Sequence, residues 1–457
     1  MSPDRSIPRR LWDLAWPVIG LNVLNVLSLA VDTAMCGRLP GHEAALTGLG
    51  FATQIVFLFM VAMLGLVVGA VALVSRAHGA GDEARIEHVL LQATQLTILL
   101  GGAVGLVGNL AARPILATLG AEGAALEQGT IYLRPLLGGT VFYYLGLYYA
   151  AVLRGVGNSR LPLGVAFAAN LVNVAINYCL ILGNLGFPRL GVLGAAIGTV
   201  ASQAFSVVVL VTLLRRGIVP SLRLRFRPAP IDRALARELA RVGLPAAADM
   251  LILNGAFLAI IRMLGTLDQV SVAAHGIGLR IQALAFVPGL SISQATAAMV
   301  GQSLGAGDEA GARAVHRASV VLCALVMTAL GLPIVLGAGP IVRIFDVELG
   351  TPLADYAIQW IQLLGVGMPI VGVHISFVGL FRGAGATNTS LGINLVATAV
   401  QVPASWALGF PLGLGPWGVW LAFPLSFLLR ALLGWVAYRR GRWVRLGTRV
   451  HPAQRSS

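Results

Sequence analysis

The sequence predicts an all-α integral membrane protein: twelve transmembrane helices in two parallel six-helix lobes, related by a pseudo-two-fold along the membrane normal. Composition is the first observation behind this. Apolar residues make up 57% of the chain and charged residues 11%, with a mean hydropathy of +0.84. A soluble domain carries roughly 25% charged residues, so this chain cannot cover a water-facing surface. Duplication is the second. Gly79-Ala80-Gly81-Asp82-Glu83-Ala84 recurs as Gly305-Ala306-Gly307-Asp308-Glu309-Ala310, an offset of 226. Pro17 answers Pro245, and Arg154-Gly155-x-Gly157 answers Arg382-Gly383-x-Gly385, both at 228. Gly191-x-x-Gly194 answers Gly415-x-x-Gly418 at 224. Four pairs in register imply an internal repeat, and apolar duplicated halves are the pattern of secondary transporters.

A helical span needs about 20 apolar residues. Twelve stretches qualify: 11–36, 50–75, 88–112, 130–153, 160–183, 190–214, 238–263, 270–300, 315–340, 355–381, 388–410 and 416–438. The first is longer than a signal-peptide core and reads as a retained helix. The chain has no lysine; its 32 basic residues are all arginine, and its net charge is +14. In such a chain arginine marks cytoplasmic loops rather than a nucleic-acid surface. Arg5, Arg9 and Arg10 precede the first span, Arg215 to Arg241 lie between the sixth and seventh, and Arg439 to Arg449 follow the last. Both termini are therefore expected in the cytoplasm of a bacterial inner membrane, and the halves share one orientation. The expected organisation is an N-terminal lobe over 1–214, a cytoplasmic linker over 215–237 containing Pro220, Pro228 and Pro230, a C-terminal lobe over 238–438, and a basic tail over 439–457.

Each GAGDEA copy is expected to close one helix with glycine and cap the next with aspartate. Neither is a phosphate loop, which would need a lysine. Cys36, Cys179 and Cys323 are odd in number and lack metal-ligand spacing, so free thiols are expected.

Function is sought in polar groups that do not belong in lipid, where an ionisable side chain costs roughly 2.5–3.5 kcal/mol on insertion scales. Asp32, in the outer part of the first span, has no basic neighbour within one turn. Such a carboxyl can alternate between a neutral and a charged form, the exchange that proton-coupled export of a cation requires. The plain alternative is an interfacial aspartate. Asn173 and Asn177, four apart, share a helix face with Asn170, and with Thr199 they can build a polar pocket around Asp32. Asn22 and Asn25 are further candidates for the substrate cavity. Interhelical packing is an equal reading for all of these asparagines. Tyr143, with Tyr144, Tyr148 and Tyr149, can shape a pocket for flat cations or form an interfacial belt. Pro17 and Pro245 kink the first helix of each half, and Pro17 is the candidate hinge.

In the second half Asp249 is expected to pair with Arg280, His275 or His374 as a structural ion pair. A second cation site, a proton relay and, in another functional class, an enzyme centre of Asp249, His275 and His374 are the alternatives. A channel is a further one. His78, His88 and His316 flank cytoplasmic loops and read as solvated. The intramembrane arginines are read as few (Arg262, Arg280), which argues against an anionic lipid-linked cargo.

At these residues the chain resembles the multidrug and toxic compound extrusion (MATE) family. The matching stretches are VDTAMCGRLPG, VSRAHGAGDEA, LRGVGNSRLP, VGQSLGAGDEA and FRGAGATNTS, in family order across nearly the whole chain. AVDTAMCGRL looks most like the DinF branch. The resemblance implies antiport, as a monomer embedded in membrane lipid, of small lipophilic or cationic compounds against protons or sodium, with no cofactor and no nucleic acid. It places the coupling aspartate at Asp32, the kinking proline at Pro17 and a helix-five asparagine at Asn173. Where the branch often has a second aspartate this chain has Asn177, and the region of the helix-seven glutamate reads Leu253-Asn254. The expected coupling ion is therefore the proton, with sodium as the alternative. A lipid-linked sugar flippase of the wider superfamily is the second reading.

Overall fold

The computed structural model describes residues 6–39, 42–225 and 229–447. Arg5, Arg227, Pro228 and Arg449 lie outside the described residues. Among those described there is no strand. The first half runs α1 (Ile7–Cys36), α2 (His42–Gly79), α3 (Glu83–Thr118), α4 (Gly123–Gly138), α5 (Thr140–Gly155), α6 (Arg160–Leu180) and α7 (Val192–Arg215). The second runs α8 (Arg233–Leu267), α9 (Gln269–Gly305), α10 (Glu309–Leu336), the short α11 (Ala338–Arg343), α12 (Pro352–Gly383), α13 (Thr387–Gly409), α14 (Gly415–Arg439) and the short α15 (Arg442–Gly447).

Eleven of these helices are long and apolar enough to cross a membrane, or twelve if α4 and α5, bent by 54° at their junction, are taken together as one span. The sequence presents 130–153 as one continuous span, and the bend is the correction. Pro135 sits one turn before the Gly138-Gly139 pair and removes a backbone donor, and Asn109 Nδ2 donates to the Arg134 carbonyl beside the break at 2.8 Å. A side chain at Gly139 would come within 2.6 Å of Val200.

The two GAGDEA copies fold alike. Gly81 and Gly307 adopt φ of +70° and +75°, a region that L side chains rarely enter. Asp82 then caps α3 by accepting from the Arg85 amide at 2.8 Å. Asp308 caps α10 by accepting from the Gly311 amide at 2.7 Å.

The chain divides into two compact units, Pro17–Gly243 and Met1–Trp16 with Leu244–Ser457. This differs from the expected split at 214 and 238. Leu11, Leu14 and Ala15 of α1 are buried in a core with α9, α10 and α12 residues, so the start of α1 belongs to the second unit. Leu235 and Leu239 of α8 are buried with α2, α3 and α5 residues, so the linker and the start of α8 belong to the first. The chain passes between the units at Pro17 and one residue before Pro245. Apolar side chains, not lobe numbering, decide the division.

The end of the linker and the start of α8 are strapped to α3. Arg85 pairs with Glu238, His88 Nε2 lies 3.0 Å from Asp232 Oδ2, and Gln92 Nε2 donates to the Pro230 carbonyl at 2.9 Å. His88 is thus engaged rather than merely solvated. Its hydrogen bond, followed by that from the Leu235 amide, holds the Asp232 carboxyl below the usual carboxylate range. His316, also expected in water, is 3% exposed, packed on Phe377 and Tyr438. The three cysteines are free thiols.

Candidate coupling site

Asp32 lies one turn before the end of α1 and is buried. In the first unit α6 and α7 close on it. Asn177 Nδ2 donates to Asp32 Oδ1 at 2.6 Å and lies 3.2 Å from Asn173 Oδ1. Asn173 Oδ1 also accepts from Ser28 Oγ at 3.3 Å. Thr199 Oγ1 stands 3.4 Å from Asp32 Oδ2 and 3.0 Å from the Ala195 carbonyl of its own helix. Two polar groups one turn apart on α6 share a face; Asn177 reaches the carboxyl, and Asn173 holds Asn177 from the turn before.

Close approach here depends on Gly198. A Cβ at that position would meet Asn177 Oδ1 at 1.9 Å, so no side chain fits while Asn177 stays in place. Asn177 Oδ1 is itself buried without a protein donor.

This geometry tolerates both protonation states of Asp32. The Thr199 hydroxyl carries one hydrogen and accepts through its lone pairs. When Asp32 is charged, Thr199 donates to it. When Asp32 is protonated, its hydroxyl donates to Thr199, whose own hydrogen turns to the Ala195 carbonyl. Neither state strands the carboxyl or the Thr199 hydroxyl, which would cost about 1–3 kcal/mol.

The other expected cavity residues do not gather at Asp32. Asn170 Nδ2 donates to the Ala166 carbonyl of its own helix at 2.8 Å, Asn22 is half-buried, and Asn25 is exposed. The tyrosines form core rather than a belt: Tyr144, Tyr148 and Tyr149 are at most 1% exposed, and Tyr144 Oη donates to the Phe59 carbonyl at 2.6 Å. Tyr143 is partly buried against the same core.

The second unit holds its own carboxyl site. Asp249, 2% exposed, accepts from Asn394 Nδ2 at 2.6 Å and from Ser390 Oγ at 3.4 Å. Its charged partner is Arg382, whose Nη2 lies 3.9 Å from Asp249 Oδ2. The expected pairing with Arg280 or a histidine is therefore corrected. Arg280 is exposed and lies over the Phe345 ring. His275 packs on Trp360, and His374 packs on Phe427, with Arg430 and Arg382 in electrostatic reach.

Arg262 and Arg280 are both exposed; the arginine buried deep in a span is Arg430, 1% exposed. It donates to Thr398 Oγ1 at 3.0 Å and Gln401 Oε1 at 3.1 Å, and to Ser426 Oγ. Sequence reading passed over Arg430, which lies in α14 ahead of Arg439 and Arg440. No cluster of three or more metal-ligating side chains occurs among the described residues.

A family model described as MatE matches residues 17–179 and again residues 245–407. The two matches start at Pro17 and Pro245, the offset found in the repeat. The chain belongs to the MatE family. It is a multi-pass membrane transporter of small molecules and not an enzyme. Across 96% of this chain and 95% of the relative, it is 25% identical to a probable multidrug resistance protein NorM of Thermotoga maritima. It is 31% identical to a probable NorM of Synechococcus sp., over 92% of this chain and 91% of that one. A multidrug resistance MATE transporter solved in an outward-facing conformation superposes with a TM-score of 0.87 at 22% identity, covering 97% of each chain. That likeness concerns the fold. MatE membership and an all-helical fold accord with the resemblance seen in the sequence; the DinF branch is not singled out.

Proposed function

We propose that this MatE transporter exports lipophilic or cationic small molecules across a bacterial inner membrane, as a monomer with both termini cytoplasmic, in exchange for protons. Asp32 carries the exchange, with Asn173, Asn177 and Thr199 as its partners. The observation behind this is the Asp32–Thr199 contact, in which either protonation state finds a partner. A charged Asp32 attracts a cationic substrate, and a protonated one releases it. Reciprocity follows: a substrate that favours the charged state must expel the proton, and the proton must weaken the substrate by the same factor. Bending of α1 at Pro17 would carry that change along the helix and give alternating access. The multidrug names of the relatives support the substrate class.

The test is efflux of tetraphenylphosphonium from proteoliposomes under an imposed pH gradient or an imposed sodium gradient. Efflux driven by the pH gradient alone is expected. Efflux that follows sodium and ignores pH would assign the coupling to sodium.

A further inference from the structure

Both units hold a carboxyl between a carboxamide and a hydroxyl, the hydroxyl coming from α7 in the first and from the carboxamide's own helix α13 in the second, yet the second carboxyl–carboxamide pair is not the copy that the repeat would produce. Asp32 and Asn177 are 145 residues apart, and so are Asp249 and Asn394. The carboxamide distance is 2.6 Å in both, and the hydroxyl distance 3.4 Å in both. At the repeat offset of 228, however, Asp249 answers Leu21 and Asn394 answers Ala166. Asp32 stands 15 residues beyond Pro17, whereas Asp249 stands 4 beyond Pro245, a shift of 11. Asn177 stands 23 beyond Arg154, whereas Asn394 stands 12 beyond Arg382, the same shift. At 1.5 Å per residue the second site is displaced by about 16 Å along its helices.

That displacement brings Asp249 to the arginine of the RGxG motif. Arg382 Nη2 stands 3.9 Å from Asp249 Oδ2. Its counterpart Arg154 has no carboxylate partner among the described residues, and Asp32 has no basic one. Asp249 thus faces Asn394 and Ser390 from α13 and Arg382 from α12, with Arg430 of α14 in electrostatic reach.

We propose that Arg382 is a tethered counter-cation: its guanidinium occupies the carboxylate site of the second unit and keeps a coupling cation or proton out, so exchange is confined to Asp32. The last clause rests on the reading of Asp32 above. Arg382 is on this account a specificity-determining residue, since its charge decides how many carboxyls take part in coupling.

Dicyclohexylcarbodiimide, which adds to protonated carboxyls in apolar surroundings, reads the two sites separately when the adducts are mapped by mass spectrometry. Wild-type protein is expected to be labelled at Asp32 and spared at Asp249. R382Q should raise the Asp249 adduct by about tenfold or more, the lower end of what an opposite charge at this distance does to carboxyl protonation. R382K, which retains a tethered cation, should stay near wild type, and the Asp32 adduct should not change in either variant. An Asp249 adduct in wild-type protein as strong as that at Asp32 would overturn the proposal, whether or not R382Q folds. So would an Asp249 adduct that fails to rise in R382Q. Absence of the Asp32 adduct throughout, with the Asp249 pattern as expected, would instead remove the Asp32 reading and leave Arg382 as the counter-cation.

Discussion

Asn177 reaches across 145 residues of chain to donate to Asp32 at 2.6 Å, and it does so into space that only a glycine at 198 leaves open. The Asp32 carboxyl is therefore held by a carboxamide that cannot change protonation, beside a hydroxyl that can reverse its hydrogen bond. A carboxamide holds orientation while the carboxyl titrates.

Gly198→Ala puts a methyl group where Asn177 Oδ1 lies. Overpacking of this kind costs about 1–3 kcal/mol. Thermal unfolding of the purified variant should show the loss, and adding Asn177→Ala, which removes the obstructing atom, should return most of it. An unchanged melting temperature in the single variant would mean that α6 and α7 separate easily here.

Pro17→Ala supplies the amide that α1 lacks in its interior. The variant should be more stable, by up to about 3 kcal/mol on the usual cost of an interior proline, and slower in drug efflux. Thermal unfolding and efflux rate measured together check this; equal efflux with raised stability would make Pro17 a static kink.

The linker strap gives a pH prediction outside the membrane. Asp232 is held below the usual carboxylate range, chiefly by His88. Its contribution is complete above that range and is lost as pH falls through the depressed value. Thermal stability of wild type and Asp232→Asn should therefore differ by a constant amount near neutral pH, and the difference should vanish in acid. The two side chains are 41% and 35% exposed, so screening keeps the effect small.

Much of the first unit's site is legible in the sequence. A lone carboxylate in an apolar stretch stands out, and Asn173 with Asn177 at a one-turn spacing announces a polar helix face. The duplicated GAGDEA caps are equally legible, because a left-handed glycine followed by an aspartate cap is local chemistry. Three features are not local. Arg382 meets Asp249 across 133 residues, and in sequence it looks like any arginine at a helix end. The tyrosines of α5 look like a cation box until the Tyr144 and Tyr148 hydroxyls are found bonded to backbone carbonyls. The passage of α1 and α8 from one unit to the other depends on which core takes Leu11 and Leu239, and periodicity does not say which neighbour an apolar face will meet.

The exchange of a proton for a substrate at Asp32 is tested most directly by proton counting. Tetraphenylphosphonium is added to weakly buffered, purified transporter, and the proton released is read by a pH indicator. The account predicts about one proton per bound cation in wild-type protein, by linkage, and none from Asp32→Asn, which should still be monodisperse. Cation binding without proton release in the wild type, or equal release from Asp32→Asn, would contradict it.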